Sequence, residues 1–196
     1  HEIKNPLTPI ELSAERLGRK YLNEIKTSPE IFDRCAETII RQVGDIGRMV
    51  DEFSSFARMP KPVIALEDMR EIVRSAVFPQ RVTFPDIEFI VETPAEPLIV
   101  RCDARLIAQA IGNLLKNAAE SIGARHTGGD LAQGRIRIAL ARANDAAALS
   151  IADNGVGLPK AERHRLTEPY MTTRAKGTGL GLAIVKQIVK GHGGTL

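Results

Sequence analysis

Apolar residues recur in steps of four and three along the first part of the chain, the spacing of a coiled-coil-like helical seam. The first seam consists of Ile3, Leu7, Ile10, Ala14, Leu17, Tyr21 and Ile25. The second seam follows the stretch KTSPE and consists of Ala36, Ile39, Ile40, Val43, Ile46, Met49, Val50, Phe53 and Phe56. The pattern predicts a helical hairpin whose second helix is capped by Ser28 and begins at Pro29.

Two helices by themselves cannot bury both seams of this hairpin. The expected solution is a homodimer in which two hairpins form a four-helix bundle. The alternative is a hairpin that packs against the rest of its own chain. Pro60 and Pro62, in the stretch RMPKPV, end the helical pattern and indicate a domain boundary. The predicted domains are therefore residues 1–59 and residues 63–196.

The second region mixes helical and strand patterns. Its predicted strands are IEFIVETP, PLIVRCD, GRIRIALARA and AALSIADNG, the last two separated by a turn near Asn144. Its predicted helices are LEDMREIVRSAVFPQ, a long helix over roughly 104–122 capped by Asp103, and a helix from Gly179 to about Lys190. Residues 158–177 are predicted to form a loop. These elements favour an α+β domain in which helices cover one face of a sheet.

The composition limits the kind of protein that this chain forms. Its 196 residues are 43% hydrophobic and 26% charged, which is typical of a folded, water-soluble chain. The net charge of +3 is spread evenly and does not indicate direct binding of nucleic acid. No apolar run approaches the roughly 20 residues of a membrane span. Cys35 and Cys102 lack the spacing of a metal or redox site, so we expect reduced, buried thiols.

The long predicted helix carries an unusual polar face. Gln109, Asn113, Asn117 and Glu120 recur at spacings of four, four and three residues. Carboxamides on an otherwise apolar helix are costly to bury without a partner. One interpretation is that they bond to nearby backbone. The other is that the asparagine oxygens hold a hydrated Mg²⁺, a hard cation that takes few protein oxygens and several phosphate oxygens.

Two glycine-containing stretches follow the predicted strands. In DNGVGLP, Asp153 is placed to accept a hydrogen bond from an exocyclic amine such as the N6 amine of adenine, and Gly155 and Gly157 let backbone approach a flat base. The alternative is that Asp-Asn-Gly forms an ordinary turn. In KGTGLGL, three glycines lead into a helix, where loop amides form an anion site for phosphates. This stretch matches neither a Walker motif nor a dinucleotide fingerprint. The loop before it, EPYMTTRAKG, is interpreted as a lid rather than as disordered.

The chain begins with HEIKNPLTPIELSAERL, which places His1, Glu2 and Asn5 at the start of a helical pattern. An imidazole with a pKa of about 6.5 is a competent nucleophile near neutral pH. Pro6 leaves the carbonyl of Glu2 without its helical partner, and a bend there would expose the histidine. The alternative is that His1 is the remnant of a purification tag, which would more often show further histidines or small polar linker residues.

The order of these motifs resembles that of the sensor histidine kinases. In that family a dimerisation and phosphoacceptor hairpin precedes an ATP-binding domain of the Bergerat fold. The resemblance covers essentially the whole chain, and HEIKNPLTPIELSAERL and EPYMTTRAKGTGLGLAIVKQIV are most similar to the nitrogen-regulation kinases of the NtrY type. It implies a dimerisation and histidine-phosphotransfer hairpin over 1–59, then an ATP-binding catalytic domain over 63–196 whose C-terminal strands are missing.

The resemblance also implies roles for individual residues. His1 would accept the phosphoryl group on one ring nitrogen. Glu2 would take the proton from the other ring nitrogen of His1. The alternative is that Glu2 is an ordinary solvated residue of the helix. A separate hypothesis comes from position: Asn5 lies one helical turn from His1, where it would orient a water for removing phosphate from a partner regulator. The residues of the ATP site would be Asn113, Asn117, Asp153, Gly155, Gly157, Thr172, Thr173, Arg174, Lys176, Gly177, Thr178, Gly179, Leu180 and Gly181. Of the two asparagines, Asn117 is the expected direct Mg²⁺ ligand.

Two positions differ from related proteins. Gln109 stands where related ATPases of the fold use glutamate to activate water. A glutamine cannot serve as that base, which agrees with transfer to histidine instead of water. Tyr170 stands where the family usually has Phe, a change that should preserve packing.

The implied function is ATP-dependent autophosphorylation of His1, with Mg²⁺, and transfer of the phosphoryl group to an aspartate in the receiver domain of a response regulator. We expect a homodimer, and a parent protein that adds closing strands after residue 196 and a sensor with membrane helices upstream. This stretch would then be the cytoplasmic portion of an inner-membrane-anchored bacterial protein. Two other functions remain: a nucleotide-gated clamp that phosphorylates nothing, and a dimerisation scaffold whose kinase domain has decayed.

Overall fold

The structure is a computed structural model that describes residues 7–21, 25, 28–130, 132–144, 146–158, 166–169, 171 and 178–196. The described residues divide into two compact units. The first contains the residues up to Met59 and also Thr178, and the second contains the other residues from Pro60 onward.

The first unit contains the predicted helical hairpin. Its helices are α1, Leu7–Tyr21, and α2, Pro29–Ala57, and they pack against each other. Pro29 begins α2 as predicted, because the fixed φ of proline suits the first helical position. The predicted cap by the Ser28 side chain is wrong. Ser28 adopts a left-handed conformation with φ 54°, and its carbonyl oxygen, not its hydroxyl, accepts from the N–H of Ile31 at 3.1 Å.

One hairpin leaves much of its apolar seam in contact with solvent. Ala14, Ala36 and Val43 are buried between the helices. Seven seam residues are between 38% and 48% exposed in the single chain: Ile10, Leu17, Tyr21, Ile39, Ile46, Met49 and Phe53. Exposed apolar surface of this extent marks an interaction face.

The prediction for the cysteines is correct for only one of them. Both thiols are free, and Cys102 is buried as expected. Cys35, on α2, is exposed, so the expectation of a buried thiol is wrong there.

The second unit contains five strands and three helices among the described residues. In chain order they are β1, Ala65–Asp68; α3, Met69–Thr83; β2, Ile87–Glu92; β3, Ile99–Cys102; α4, Ala104–Thr127; β4, Gly134–Ala143; β5, Ala146–Asp153; and α5, Gly181–Gly191. The α+β class is confirmed. In the described part of the chain the strands form two sheets rather than one: β1 pairs antiparallel with β3, and a separate sheet has the order β2-β4-β5.

The first predicted helix of this unit begins later than its sequence pattern suggested. Residues Ala65–Asp68 form strand β1, in which Leu66 pairs with Arg101 of β3. Asp68 then caps α3, because its Oδ1 accepts from the N–H of Arg70 at 3.0 Å. The helix continues past Pro79 to Thr83, although a proline removes one helical hydrogen bond.

The core lies between the three-stranded sheet and the helices α3 and α4. Alternate residues of β4, namely Ile136, Ile138 and Leu140, are buried toward the helices. On the opposite face, Arg135 pairs with Glu88 of β2, with 2.8 Å between Nε and Oε2. Helix α4 also packs against α3 and α5, so it is the central element of this unit.

The stability of this unit in acid tests the contacts of Asp68. Its pKa is lowered to about 2, chiefly because the Arg70 guanidinium donates to the carboxylate. The charged form is therefore favoured in the folded protein, and its contribution to the free energy of unfolding is complete above about pH 4 and is lost as the pH falls towards 2. We expect Asp68→Asn, which keeps the cap, to be less stable at pH 7 and to lose less stability between pH 4 and pH 3.

Urea unfolding at pH 7, 4 and 3 measures this difference. Asp86→Asn, in the exposed turn before β2, is the matched control and should follow the wild-type profile. If the free energy of unfolding depended on pH in the same way in the wild type and in Asp68→Asn, the lowered pKa of Asp68 would be contradicted.

Candidate active site

One row of side chains on α4 organises the candidate site. The row consists of residues four apart: Gln109, Asn113, Asn117, Ser121 and Arg125. The helix that carries it is capped as predicted. Oδ1 of Asp103 accepts from the N–H groups of Arg105 and Leu106, each at 3.1 Å.

Asp103 also holds two other segments, one before β1 and one after α5, at the start of α4. Its side chain is buried, and its Oδ2 accepts from the N–H of Val63 at 3.0 Å. That hydrogen bond is the main cause that holds the pKa of Asp103 below its usual range. The N–H of Asp103 donates to Nε2 of His192, just after α5, at 2.9 Å. The start of α4 and the end of α5 are thereby held together.

The start of α5 lies against the asparagines of the row. Nδ2 of Asn113 is 3.4 Å from the carbonyl oxygen of Gly181. A Cβ at Gly181 would lie 3.8 Å from Nδ2 and 4.0 Å from Oδ1 of Asn117. Leu180 precedes the helix, is 2% exposed and offers no side-chain acceptor to cap it. The carboxamides and the first-turn amides of α5 therefore share one corner, where an anion would be favoured.

The turn after β5 lies against the next residue of the same row. The N–H of Gly155 donates to Oδ1 of Asp153 at 2.9 Å, and the N–H of Val156 donates to the carbonyl oxygen of Ser121 at 3.3 Å. A Cβ at Gly155 would lie 2.2 Å from Oγ of Ser121, so only glycine fits there. Gly157 has φ +75°, a conformation that favours glycine.

The structure brings together most of the described residues that the sequence analysis selected. Asn113 and Asn117 lie against Gly181 at the start of α5, and the turn Asp153–Gly157 meets Ser121 one helical turn further along α4, about 6 Å along the axis. Thr178 does not join them, because it belongs to the first unit, where its hydroxyl donates to Glu52 of α2. The other predicted site residues lie outside the described residues: His1, Glu2, Asn5, Thr172, Thr173, Arg174, Lys176 and Gly177.

Three residues of this region were missed in the sequence: Ser121, Arg125 and Asn154. Ser121 and Arg125 continue the i+4 row of amides, so the spacing itself was a usable signal. Asn154 was counted only as part of a turn, whereas its side chain bonds to backbone at the start of β4.

The chemistry of the donors suits a hard cation. Carboxamide oxygens are ligands that Mg²⁺ accepts, with phosphate oxygens and water completing its shell. Within the described ranges, no group of three or more His, Cys, Asp and Glu side chains could hold a metal ion.

Comparison with known proteins identifies the class. Residues 1–62 match the His Kinase A (phospho-acceptor) domain, and residues 102–196 match the histidine kinase-, DNA gyrase B- and HSP90-like ATPase. The solved structure of the mycobacterial sensor histidine kinase MprB is 35% identical, with a TM-score of 0.57 over 67% of this chain and 81% of that one. The chain belongs to the sensor histidine kinase family.

Within the family, the chain is of the NtrY type, as its motifs predicted. It is 58% identical over 195 residues to the nitrogen regulation protein NtrY of Azorhizobium caulinodans, covering 99% of this chain and 25% of that protein. The histidine kinase ThkA, solved in complex with the response regulator TrrA, has the same fold over 99% of this chain and 55% of that one, with a TM-score of 0.65 at 21% identity. The chain thus spans about a quarter of the length of NtrY.

Proposed function

We propose that this chain is the catalytic core of an NtrY-type kinase, which transfers the γ-phosphoryl group of ATP to His1 and then to an aspartate of a response-regulator receiver domain. Residues 1–59 form the dimerisation and phosphotransfer hairpin, and residues 63–196 form the ATP-binding domain. The observation that carries the proposal is the meeting of the asparagines, the start of α5 and the Asp153 turn along α4.

The proposed ATP site uses these described contacts. Asp153 accepts from the N6 amine of adenine, and Gly155 and Gly157 let the base approach the backbone. The amides of Gly179–Gly181 bind phosphate oxygens. The lid contributes Thr172, Thr173, Arg174, Lys176 and Gly177, whereas Thr178 is left out because its hydroxyl donates to Glu52 in the first unit. Asn117, with Asn113 beside it, would hold Mg²⁺, which when bound neutralises charge on the phosphates.

The proposed chemistry takes place on the imidazole of His1. One ring nitrogen forms a bond to the γ-phosphorus as the bond from phosphorus to the ADP oxygen breaks. Glu2 accepts the proton from the other ring nitrogen, so the phosphohistidine is left without a positive ring. Gln109 cannot act as a base for water, which favours histidine over hydrolysis. Asn5 orients a water for dephosphorylation of the regulator.

The proposed partners follow from the exposed seam and from the relatives. A second copy of the chain would cover the apolar face of the hairpin, forming a four-helix bundle. The receiver domain of a response regulator would accept the phosphoryl group, in signalling related to nitrogen. No described helix is long and apolar enough to cross a bilayer. Membrane attachment would come from upstream segments of a longer protein, of which this is the cytoplasmic portion.

Labelled ATP tests the proposed activity. A chain extended at both ends by its natural sequence, incubated with Mg²⁺ and ATP labelled in the γ-phosphate, should acquire label that is lost in acid and kept in base. The receiver domain of a response regulator should then remove that label. Phosphate that is stable in acid would indicate a serine or threonine acceptor and would contradict the proposal.

The same experiment separates the competing functions. A nucleotide-gated clamp would bind ATP and change its compactness without taking up label. A decayed scaffold would dimerise without binding ATP, which calorimetry on the unlabelled protein measures directly.

A further inference from the structure

Arg125 ends the i+4 row of α4 in an unusual environment. Its side chain is only 13% exposed. Nη1 donates to the carbonyl oxygen of Asn154 at 2.6 Å, and Nη2 donates to the carbonyl oxygen of Ala132. These two acceptors are main-chain groups, one in the turn after β5 and one in the loop before β4, and Nη2 also lies 3.3 Å from Nε2 of His126. The guanidinium therefore fixes backbone positions on both sides of the site.

An ion pair does not account for the burial of Arg125. The carboxylate beside it belongs to Asp130, which is 58% exposed and has Oδ2 3.8 Å from Nε. Pairs with such an exposed partner contribute little stability. Among the described residues, Nε of Arg125 is buried without a hydrogen-bond partner, which carries a desolvation cost. A cation whose only role is to interact with the last carbonyls of a helix can do so while exposed to solvent.

Asn154 connects Arg125 to the turn after β5 through hydrogen bonds. Its Oδ1 accepts from the N–H of Arg135 at 2.8 Å, and its Nδ2 donates to the carbonyl oxygen of Gln133 at 2.9 Å. Its own N–H donates to the carbonyl oxygen of Arg135 at 3.2 Å. With the bond from Arg125, the backbone N–H and carbonyl and both polar atoms of the side chain are engaged. Asn154 thus continues the contact with β4 beyond the last ladder pair, Asp153 with Ile136.

We propose that Arg125, acting through Asn154, is a positioning residue for recognition of the nucleotide base by Asp153. The inference rests on the proposed role of Asp153 as the acceptor for the adenine amine. Asp153 lies between a paired strand end and the fixed Asn154, and its Oδ1 is held by the N–H of Gly155 at 2.9 Å. A hydrogen bond to the base requires a fixed carboxylate direction. Loss of Arg125 frees the peptide between Asn154 and Gly155 to rotate, and the N–H of that peptide is the group that holds Oδ1 of Asp153.

If Arg125 positions Asp153, its loss should lower the selectivity for ATP over inosine triphosphate and not only the affinity for ATP. Inosine triphosphate carries a carbonyl oxygen where ATP carries the amine, so it lacks the N6 donor that Asp153 is proposed to recognise. Calorimetry on the full chain should show tighter binding of ATP than of inosine triphosphate by the wild type. Arg125→Gln should weaken ATP binding about tenfold and inosine triphosphate binding less than about twofold, so the selectivity falls.

Three further variants complete the test. Arg125→Lys keeps the charge but not the planar fork, so it should lose part of the selectivity while remaining folded, and it replaces Arg125→Gln if that variant does not fold. Asn154→Ala should reproduce the loss of selectivity. Arg74→Gln removes an exposed arginine paired with Glu71 on α3 and should retain the wild-type ratio.

The outcomes distinguish the inference from the proposed function. Equal weakening of both nucleotides by Arg125→Gln and Arg125→Lys, or a lower melting temperature with an unchanged ratio, would show a purely structural role and overturn the inference. If the wild type does not discriminate, or if Asp153→Asn leaves the ratio unchanged, then Asp153 does not read the base. That result overturns the proposed role of Asp153 and the inference with it.

Discussion

Replacing Gly155 with alanine is expected to abolish ATP binding while leaving the hairpin intact. The added Cβ would lie 2.2 Å from Oγ of Ser121, 2.5 Å from its carbonyl carbon and 2.7 Å from the backbone nitrogen of Ile122. Two of these atoms belong to the backbone of α4, whose neighbouring side chains Ala118, Ala119 and Ile122 are buried. Because α4 is packed into the core and cannot move aside, the turn that carries Asp153 must move instead.

The displacement of this turn determines how much ATP affinity the Gly155→Ala variant loses. A shift of about 1 Å in a positioning element can reduce activity about 100-fold, so we expect at least that loss in ATP affinity by calorimetry. Gly123→Ala is the matched control on the same helix, because a Cβ there meets no atom within 4 Å. It should bind ATP like the wild type and be more stable by up to about 1 kcal/mol, since alanine is the better helix former. Wild-type affinity in Gly155→Ala would show that this turn does not contribute to the nucleotide site.

Elements with strong local signals were predictable from the sequence. The long helix α4 has a clear apolar period and an aspartate cap, and its start at Ala104 was confirmed. Its end was placed too early, at about residue 122 instead of Thr127, because the last turn is held by contacts of Arg125 with distant carbonyls. Helix α5 was likewise recognised from the apolar residues that follow its glycines, but it begins at Gly181 and not at Gly179 as predicted, because Gly179 has φ +70° and is not helical.

Elements that depend on distant partners were not predictable. Strand β1 has only four residues, and its strand conformation depends on pairing with β3 across the intervening helix. The parallel pairing of β2 with β4 depends on α4 returning the chain to the same end of the sheet, which alternation alone does not report.

The candidate site shows the same division. Asn113 and Asn117 were selected because carboxamides on an otherwise apolar helix are costly to bury without a partner, and Asp153 because it begins a glycine-containing stretch after a predicted strand. Arg125 was missed because it fixes two main-chain carbonyls, one of them 29 residues away in sequence, and no side-chain pattern marks a carbonyl. Cys35 was assigned to the core because free cysteines are usually buried, whereas its exposure depends on which face of α2 meets α1.

Replacing His1 with alanine is expected to abolish phosphorylation while preserving nucleotide binding. Removal of the nucleophile should reduce the label incorporated from ATP at least about 1,000-fold, because nothing else in the proposed mechanism can form the bond to phosphorus. The affinity for ATP should change less than about twofold. The described residues of the proposed nucleotide site all belong to the second unit, whereas His1 precedes the first helix of the hairpin.

The variant contains its own control, because His126, His164 and His192 remain. Nδ1 of His192 donates to the carbonyl oxygen of Ile188 at 2.7 Å, so its Nε2 must be the acceptor for the N–H of Asp103. Both ring nitrogens are therefore engaged, and His192 is a poor nucleophile. Acid-labile phosphate in His1→Ala would place the acceptor on another histidine. Its absence in His1→Ala, with ATP still bound, and its absence in Gly155→Ala, with ATP no longer bound, would separate acceptance of the phosphoryl group from recognition of the nucleotide.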